Sequence, residues 1–343
     1  MRTVENHDCL RRCLLATALT CSAVSLFPPV AYAADVRKPE LVSVRKIWDR
    51  APHNAFTDLI RFQNRWFCVF REGQGHVSPD GKLRIITSTD GDAWTSAALI
   101  ADPESDLRDA KITRTPDGRL MLGGAGALHQ PADAKHQSMV WFSSDGFTWS
   151  NAYEIGDPNY WLWRITWHKR VAYSVGYATG DTRGIRLYRS TDGRTFDTHV
   201  ADLLDDDYPN ETAMVFDDDD RCYCLLRRDG KADNAGLLGT SRPPYKQWTW
   251  KDLGTKIGGP MMIRLPDNRL IAAVRLYGQA RTALCWIDPQ AGTLAEALTL
   301  PSGGDTSYPG MVFHDGLLWV SYYASHEGKT SIYLATVKIP PAR

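Results

Sequence analysis

Two stretches of the sequence concentrate side chains that could hold a polar ligand. Residues 106–111 (DLRDAK) place the charged groups of Arg108 and Asp109 just before a strand-like run. These charges could face a ligand, or they could join neighbouring sheets by ion pairs. Residues 161–168 (WLWRITWH) combine three odd-numbered tryptophans, Trp163 among them, with Arg164. In an unbroken strand such tryptophans share one face, which could stack on a sugar ring or pack against a neighbouring sheet. We predict that Arg108, Asp109, Trp163 and Arg164 bind substrate.

Other familiar chemistries are missing from the sequence. No glycine-rich loop between a strand and a helix is present to bind phosphates, and neither HExxH nor GxSxG occurs. The 40 basic and 40 acidic residues balance, which argues against electrostatic binding of nucleic acid. We therefore expect no cofactor, no metal ion and no nucleic-acid partner.

The N-terminal residues have the pattern of a secretory signal peptide. Arg11 and Arg12 precede an apolar stretch over residues 14–27, and the small residues AYAA follow at 31–34. The apolar stretch is shorter than the ~20 residues that a membrane span needs. We predict a signal peptide at residues 1–33, a single domain at 35–343, no membrane span in the mature chain, and export to a periplasm or the medium. We expect a monomer.

Four cysteines remain after the predicted cleavage: Cys68, Cys222, Cys224 and Cys285. Cys222 and Cys224 point to the same face of one strand and cannot easily bridge each other. They lack the paired CxxC spacing of zinc sites. Buried free thiols are expected, and one disulfide in an oxidising compartment is the alternative.

A repeated hairpin motif organises the mature chain. Residues 88–94 (STDGDAW), 143–149 (SSDGFTW) and 190–196 (STDGRTF) each separate two strand-like runs, and residues 241–248 (SRPPYKQW) are a weaker fourth copy. Asp-Gly favours a tight hairpin because glycine accepts positive φ and aspartate caps the turn. Hairpins repeated about every 50 residues are typical of β-propeller blades. We predict an all-β, six-bladed β-propeller without long helices.

The hairpin motif resembles the Asp box, or BNR repeat, of the sialidase superfamily, and the order of polar residues between the boxes is similar to sialidases as well. Residues 210–216 (NETAMVF) resemble the stretch with the catalytic glutamate, which implies this role for Glu211. Residues 307–313 (SYPGMVF) resemble the motif of the tyrosine nucleophile, here Tyr308. The resemblance further implies that Arg228, with Arg227 as its competitor, and Arg281 bind substrate.

This residue set suits hydrolysis of an acidic sugar. A neighbouring carboxylate can accept the phenol proton of Tyr308, whose ordinary pKa is about 10. A neutral nucleophile does not repel a substrate carboxylate, and the handling of sialic acids by a tyrosine is a known exception among glycosidases. Guanidinium groups bind carboxylates through paired hydrogen bonds.

The sequence departs from the sialidase pattern at two places. Residues 53–58 (HNAFTD) contain no arginine where the first carboxylate-binding arginine is expected. Residues 70–76 (FREGQGH) resemble the loop that leads to the acid/base aspartate, but His76 stands near that position and Asp80 is the nearest acid. We predict His76 as a catalytic residue and Arg71 as a substrate-binding residue.

The expected function is an exo-acting, sialidase-like glycoside hydrolase that removes an acidic, sialic-type terminal sugar from a glycan. One alternative is a glycosidase or polysaccharide lyase that depends on His76 and acts on a uronate-containing glycan. A carbohydrate-binding propeller without catalysis is the other.

Overall fold

The computed structural model describes residues 38–130, 134–180, 182–231 and 233–342. Val36–Arg343 form one compact unit, and its described residues contain strands and turns but no helix. They therefore contain no helix able to cross a membrane. The predicted signal peptide at residues 1–33 lies outside the described residues.

The strands form six four-stranded antiparallel sheets, each of which is one blade. Blade 1 contains β2 (His53–Phe62), β3 (Arg65–Gly73), β4 (Lys82–Ser88) and β5 (Thr95–Ile100). Blade 2 contains β6 (Ser105–Arg114), β7 (Leu120–Leu128), β8 (His136–Ser143) and β9 (Tyr153–Ile155). Blade 3 contains β10 (Tyr160–His168), β11 (Val171–Ala178), β12 (Ile185–Ser190) and β13 (Asp197–Leu204).

The remaining blades repeat this pattern, and the last one closes the ring. Blade 4 contains β14 (Pro209–Phe216), β15 (Cys222–Arg228), β16 (Leu237–Ser241) and β17 (Trp248–Asp252). Blade 5 contains β18 (Ile257–Arg264), β19 (Leu270–Leu276), β20 (Arg281–Asp288) and β21 (Thr293–Thr299). Blade 6 contains β22 (Thr306–His314), β23 (Leu317–Ala324), β24 (Ser331–Lys338) and, from the other end of the domain, β1 (Glu40–Trp48). The prediction of a six-bladed propeller is confirmed.

The Asp-Gly turns join the third and fourth strands of blades 1 to 3. In the first, Ser88 Oγ accepts the N–H of Gly91, and the Asp90 carboxylate accepts the N–H groups of the residues two and three positions later. Trp94 closes the turn by donating its indole N–H to the Gly91 carbonyl at 2.9 Å. Gly91 has φ +86°, a conformation that explains why glycine stands there. The weaker fourth copy occupies the equivalent turn between β16 and β17.

Apolar side chains fill the spaces between blades and within them. Large buried residues include Trp66, Phe67 and Phe70 of blade 1, each no more than 2% exposed. The four cysteines of the described chain are buried and free, as predicted for thiols that act as small apolar groups.

A β-bulge recurs at the same place in the innermost strand of every blade, where two residues oppose one on the second strand. The first bulge residues are Phe56, Asp109, Trp163, Asn210, Gly259 and Tyr308. Four of the six have positive φ, between +50° and +64°. The innermost strands contact one another around the central channel, so the bulges redirect one ring of side chains towards a common point.

Candidate active site

Tyr308 and Glu211 meet inside the central channel. Tyr308 is the first bulge residue of β22, and Glu211 is the second bulge residue of β14, two blades away. The Tyr308 hydroxyl donates a hydrogen bond to Glu211 Oε1. Both side chains are buried, with 7% and 6% exposure. The sequence placed both residues in one site, and the fold brings them into direct contact.

Two further groups fix the glutamate. Arg227 Nη1 lies 2.8 Å from Glu211 Oε1 and donates to the Tyr308 oxygen at 3.2 Å. The backbone N–H of Gly259 donates to Glu211 Oε2 at 2.9 Å. Burial opposes ionisation, but the charge of Arg227 and these hydrogen bonds keep the pKa of Glu211 below its usual value. Glu211 is thus an ionised acceptor for the phenol proton.

The tyrosine holds its proton firmly in the ligand-free site. Burial raises the pKa of Tyr308 well above 10, the negative charge of Glu211 raises it further, and Arg227 opposes this rise. An attack by the phenol oxygen would therefore have to transfer the proton to Glu211 during bond formation rather than before it.

The arginine beside this pair is Arg227, not Arg228. Neighbouring residues of a strand face opposite sides, and Arg228 turns outward, where its guanidinium binds Asp206 at 2.7 Å and Asp252 at 2.8 Å. The predicted placement of Arg228 in the site is wrong, and Arg227, which the sequence left as its competitor, takes that place.

Arg281 also lies away from the pair. It forms an exposed ion pair with Glu296 at 2.6 Å. Arg275, on the adjacent strand β19, instead lies with its guanidinium 5.8 Å from the centre of the Tyr308 ring. Its Nε donates to the Thr306 carbonyl at 2.6 Å. Two guanidinium groups therefore flank Tyr308, but they belong to Arg227 and Arg275.

A cavity of about 270 Å³ opens beside the pair, and His76, Arg108, Asp109, Glu211 and Tyr308 all line it. Phe56, Trp161 and Tyr177 supply aromatic walls. Arg108 and Asp109 come from the charged stretch noted in the sequence, and both line the cavity. Arg108 forms an ion pair with Asp106 of the same strand at 2.5 Å. Asp106 itself joins blades 1 and 2 through its ion pair with Arg71 at 2.8 Å.

Asp109 has the properties of a proton donor. Its removal from bulk water raises the pKa of Asp109 to about 6; the cation of Lys111 opposes this rise and the Glu211 carboxylate adds to it. A carboxylic acid with this pKa keeps its proton in mildly acidic solution. The sequence assigned Asp109 to substrate binding, and its place beside the Tyr308–Glu211 pair makes it the better acid/base candidate.

His76 lies at the rim of the same cavity. Its Nδ1 is 2.7 Å from Asp305 Oδ2, and its ring meets Phe56 edge-on with the ring centres 5.0 Å apart. Asp80, the other acid near this position, accepts the N–H of Gln74 at 3.1 Å and so stabilises the loop to which both residues belong.

Arg71 supports the His76 loop from below instead of facing the cavity. The side chain is completely buried and donates to Asp106 Oδ1 at 2.8 and 3.1 Å. It also donates to the carbonyls of Gly75 and Ser78. All these acceptors belong to the protein, so the structure places Arg71 outside the cavity, in contrast with the predicted contact with substrate.

Arg164 and Trp163 lie behind Tyr308. Arg164 binds Asp58 at 2.9 Å and the Pro309 carbonyl at 2.7 Å, which joins blades 1, 3 and 6. Arg164 and Asp58 line a second cavity, of about 530 Å³, between the innermost strands. Trp163 packs edge-on against the Tyr308 ring with the centres 5.4 Å apart. Trp163 thus packs against a neighbouring blade, which is the alternative to sugar stacking that the sequence left open. Arg164 binds groups of the protein, in contrast with its predicted contact with substrate.

Lys111 is a further buried charged residue next to Tyr308. Its ammonium group lies 5.6 Å from the centre of the Tyr308 ring and donates to the Thr57 carbonyl. Burial lowers the pKa of Lys111 to about 8, and the charge of Arg164 contributes to this effect. Lys111 belongs to the charged stretch at residues 106–111, whereas the sequence gave no specific signal for Arg275, because Arg275 acts through contacts with blade 6.

Comparisons with known proteins support the fold. No protein-family model matches the chain, and no curated protein matches it. A structure of unknown function from Dyadobacter fermentans is 19% identical, with a TM-score of 0.77 over 90% of this chain and 100% of that one. The α-L-arabinanase of Penicillium chrysogenum is 13% identical, with a TM-score of 0.69 over 88% of this chain and 99% of that one.

The sialidase of Trypanosoma rangeli is also similar, at 11% identity and a TM-score of 0.65. The match covers 87% of this chain but only 58% of that sialidase. The chain thus shares the six-bladed propeller fold with sialidases and arabinanases, as the sequence resemblance implied, and it is divergent from both in sequence.

Proposed function

We propose that the protein is an exo-acting glycoside hydrolase that uses Tyr308 as its nucleophile and Glu211 as the base. The observation that carries this proposal is the direct hydrogen bond from the Tyr308 hydroxyl to Glu211 at the wall of a cavity. Propeller neighbours named as arabinanase and sialidase support glycan chemistry on this scaffold. The cavity volume of about 270 Å³ lies just below the roughly 300–1,000 Å³ typical of ligand sites, which suits one terminal sugar.

In the first step, the Tyr308 oxygen forms a bond to the anomeric carbon and the glycosidic bond breaks. The phenol proton moves to Glu211, and protonated Asp109 gives its proton to the leaving oxygen. Arg227 faces both oxygens of the pair and stabilises the negative charge that shifts between them.

In the second step, water attacks the anomeric carbon of the tyrosyl-sugar intermediate. The Asp109 carboxylate now accepts the proton from water, and Glu211 returns a proton to the departing Tyr308 oxygen. Two displacements at one carbon retain the anomeric configuration.

The substrate that we propose is a terminal acidic sugar of the sialic type. Tyr308 is uncharged and therefore does not repel a sugar carboxylate, and the guanidinium groups of Arg227 and Arg275 flank its ring. An exported protein, as the N-terminal sequence predicts, would meet such sugars on glycans outside the cytoplasm.

A neutral terminal sugar is the second candidate, and the site contains an observation that favours it. Residues 53–58 supply no third guanidinium, and Phe56 from this stretch packs on Tyr308 with the ring centres 5.0 Å apart. Arg227 already has Glu211 and Asp229 as ionic partners at 2.8 Å each. A substrate without a carboxylate would leave these pairs intact.

A panel of aryl glycosides and natural glycans tests the proposal. The panel pairs sialosides and uronides with arabinofuranosides, and product mass and NMR identify the released sugar and its anomer. Hydrolysis with retention, reduced at least a thousand-fold in Tyr308→Phe and Glu211→Gln, is the expected result.

Tyr323→Phe is the matched control, because it removes a buried hydroxyl that donates to Asp305 and accepts from Arg275 but does not contact Glu211. Its activity should remain within about ten-fold of the wild type. An unsaturated, ultraviolet-absorbing product would instead indicate a lyase. Glycan binding without turnover would indicate a carbohydrate-binding propeller.

A further inference from the structure

We propose that His53, His76 and Asp305 form a binding site for a divalent transition-metal ion, with Zn²⁺ as the preferred ion, at the rim of the cavity. The ligand atoms of these three residues lie within 4.8 Å of one another. The inference concerns metal binding and stands independently of the proposed hydrolase activity.

The three donors converge from separate parts of the chain. His53 is the first residue of β2, His76 lies in the loop after β3, and Asp305 directly precedes β22. His53 and Asp305 are 252 residues apart in sequence, so no local motif could reveal the site. They meet where blades 1 and 6 adjoin.

Both imidazoles lie within hydrogen-bonding distance of the same carboxylate oxygen. His53 Nε2 lies 3.1 Å and His76 Nδ1 lies 2.7 Å from Asp305 Oδ2. Ligands about 2.0–2.2 Å from one tetrahedral ion are about 3.3–3.6 Å apart. Movements of less than about 1 Å would therefore place the donors around an ion.

The surrounding groups hold the carboxylate in place. The Tyr323 hydroxyl donates to the other oxygen, Asp305 Oδ1, at 2.8 Å, which is the kind of outer contact that orients metal-binding carboxylates. The imidazoles are less constrained, since Nδ1 of His53 has no hydrogen-bond partner within the described residues. Arg275 Nη2 lies 3.7 Å from Oδ1 and opposes a cation, so we expect micromolar affinity.

The donor set selects the class of metal. Two imidazole nitrogens and one carboxylate oxygen suit Zn²⁺ and its first-row neighbours, whereas Mg²⁺ and Ca²⁺ prefer oxygen ligands. Three protein ligands leave a fourth position of a tetrahedral ion for water or a ligand. Because His76 lines the cavity, an ion here would stand next to a bound sugar.

Calorimetry on tag-free protein, treated with chelator and then dialysed, tests this inference with ZnCl₂ as the titrant. We expect binding of one Zn²⁺ per chain, with CoCl₂ giving the visible absorption of a low-coordinate Co²⁺ site. His76→Ala and Asp305→Asn should each weaken Zn²⁺ binding at least ten-fold. His76 is half-exposed, so its replacement leaves the fold intact, which circular dichroism would verify.

His136→Ala is the matched control because His136 lines the same cavity but lies outside the three-residue cluster. It should bind Zn²⁺ like the wild type. No stoichiometric Zn²⁺ binding, Zn²⁺ binding unchanged in His76→Ala, or Mg²⁺ binding as tight as Zn²⁺ binding would each overturn the proposal. Loss of hydrolysis in Tyr308→Phe with unchanged Zn²⁺ binding would support both the hydrolase proposal and the metal site.

Discussion

Replacement of Arg71 by methionine should destabilise the protein without removing any group that faces the cavity. The substitution leaves Asp106 buried with Arg108 as its ion-pair partner on Oδ2. Removing one member of a buried ion pair costs about 3–5 kcal/mol. Since Arg108 remains, we expect the lower part of that range, about 3–4 kcal/mol.

This loss translates into a measurable change in melting temperature. Globular proteins unfold with an entropy of about 2.1 cal/mol/K per residue, or about 0.6 kcal/mol/K for a domain of this size. The melting temperature of Arg71→Met should therefore fall by about 5–7 °C in differential scanning calorimetry. Arg281→Met is the matched control, because it breaks only the exposed pair with Glu296, worth at most about 1 kcal/mol.

The same experiment distinguishes a structural role of Arg71 from a role in substrate binding. If Arg71 contacted substrate, as its sequence context predicts, Arg71→Met would melt within about 1 °C of the wild type while its KM increased. That result would refute the structural argument. A lower melting temperature, with a change in KM that arises only from a displaced His76 loop, agrees with a structural role for Arg71.

Two further predictions concern the chemistry of the site. Activity should fall as pH rises through about 6, because Asp109 must be protonated to donate to the leaving oxygen. The pH–rate profile of Asp109→Asn should lack this decrease at higher pH. A wild-type profile that is flat from pH 5 to about 8 would contradict the assignment of Asp109 as the acid. Gly259→Ala should reduce activity at least ten-fold, because its Cβ would lie within 3 Å of the Tyr308 ring and Gly259 has φ +54°. Gly254→Ala is the control and should stay active, because Gly254 has φ +65° and open space around it. Equal effects in both variants would exclude a specific role for Gly259.

The fold could be predicted from the sequence because its signals are local. The turn over residues 88–94 is specified by its own serine, aspartate, glycine and tryptophan, and its repetition specifies the propeller. Glu211 and Tyr308 were identifiable because each lies within a short motif that resembles the sialidase pattern.

The remaining parts of the site depend on contacts that no local motif encodes. Arg227 and Arg228 differ only in which side of β15 they face, and the bulge in β14 decides which of them meets Glu211. Arg275 approaches Tyr308 only because blades 5 and 6 adjoin, and His53 and His76 approach Asp305 only because blades 1 and 6 adjoin. Arg71 resembled a ligand-binding residue because a buried arginine with protein acceptors cannot be distinguished in sequence from one that faces a cavity.

The most direct test of a tyrosine nucleophile is to trap its sugar adduct. Once the glycoside panel identifies a substrate, a fluorinated analogue that slows the second displacement would be incubated with the protein, and peptide mass spectrometry would locate the added mass. We predict one sugar on the peptide that contains Tyr308, with no adduct in Tyr308→Phe. A sugar attached to Glu211 instead, or turnover of the natural substrate with inversion, would contradict it.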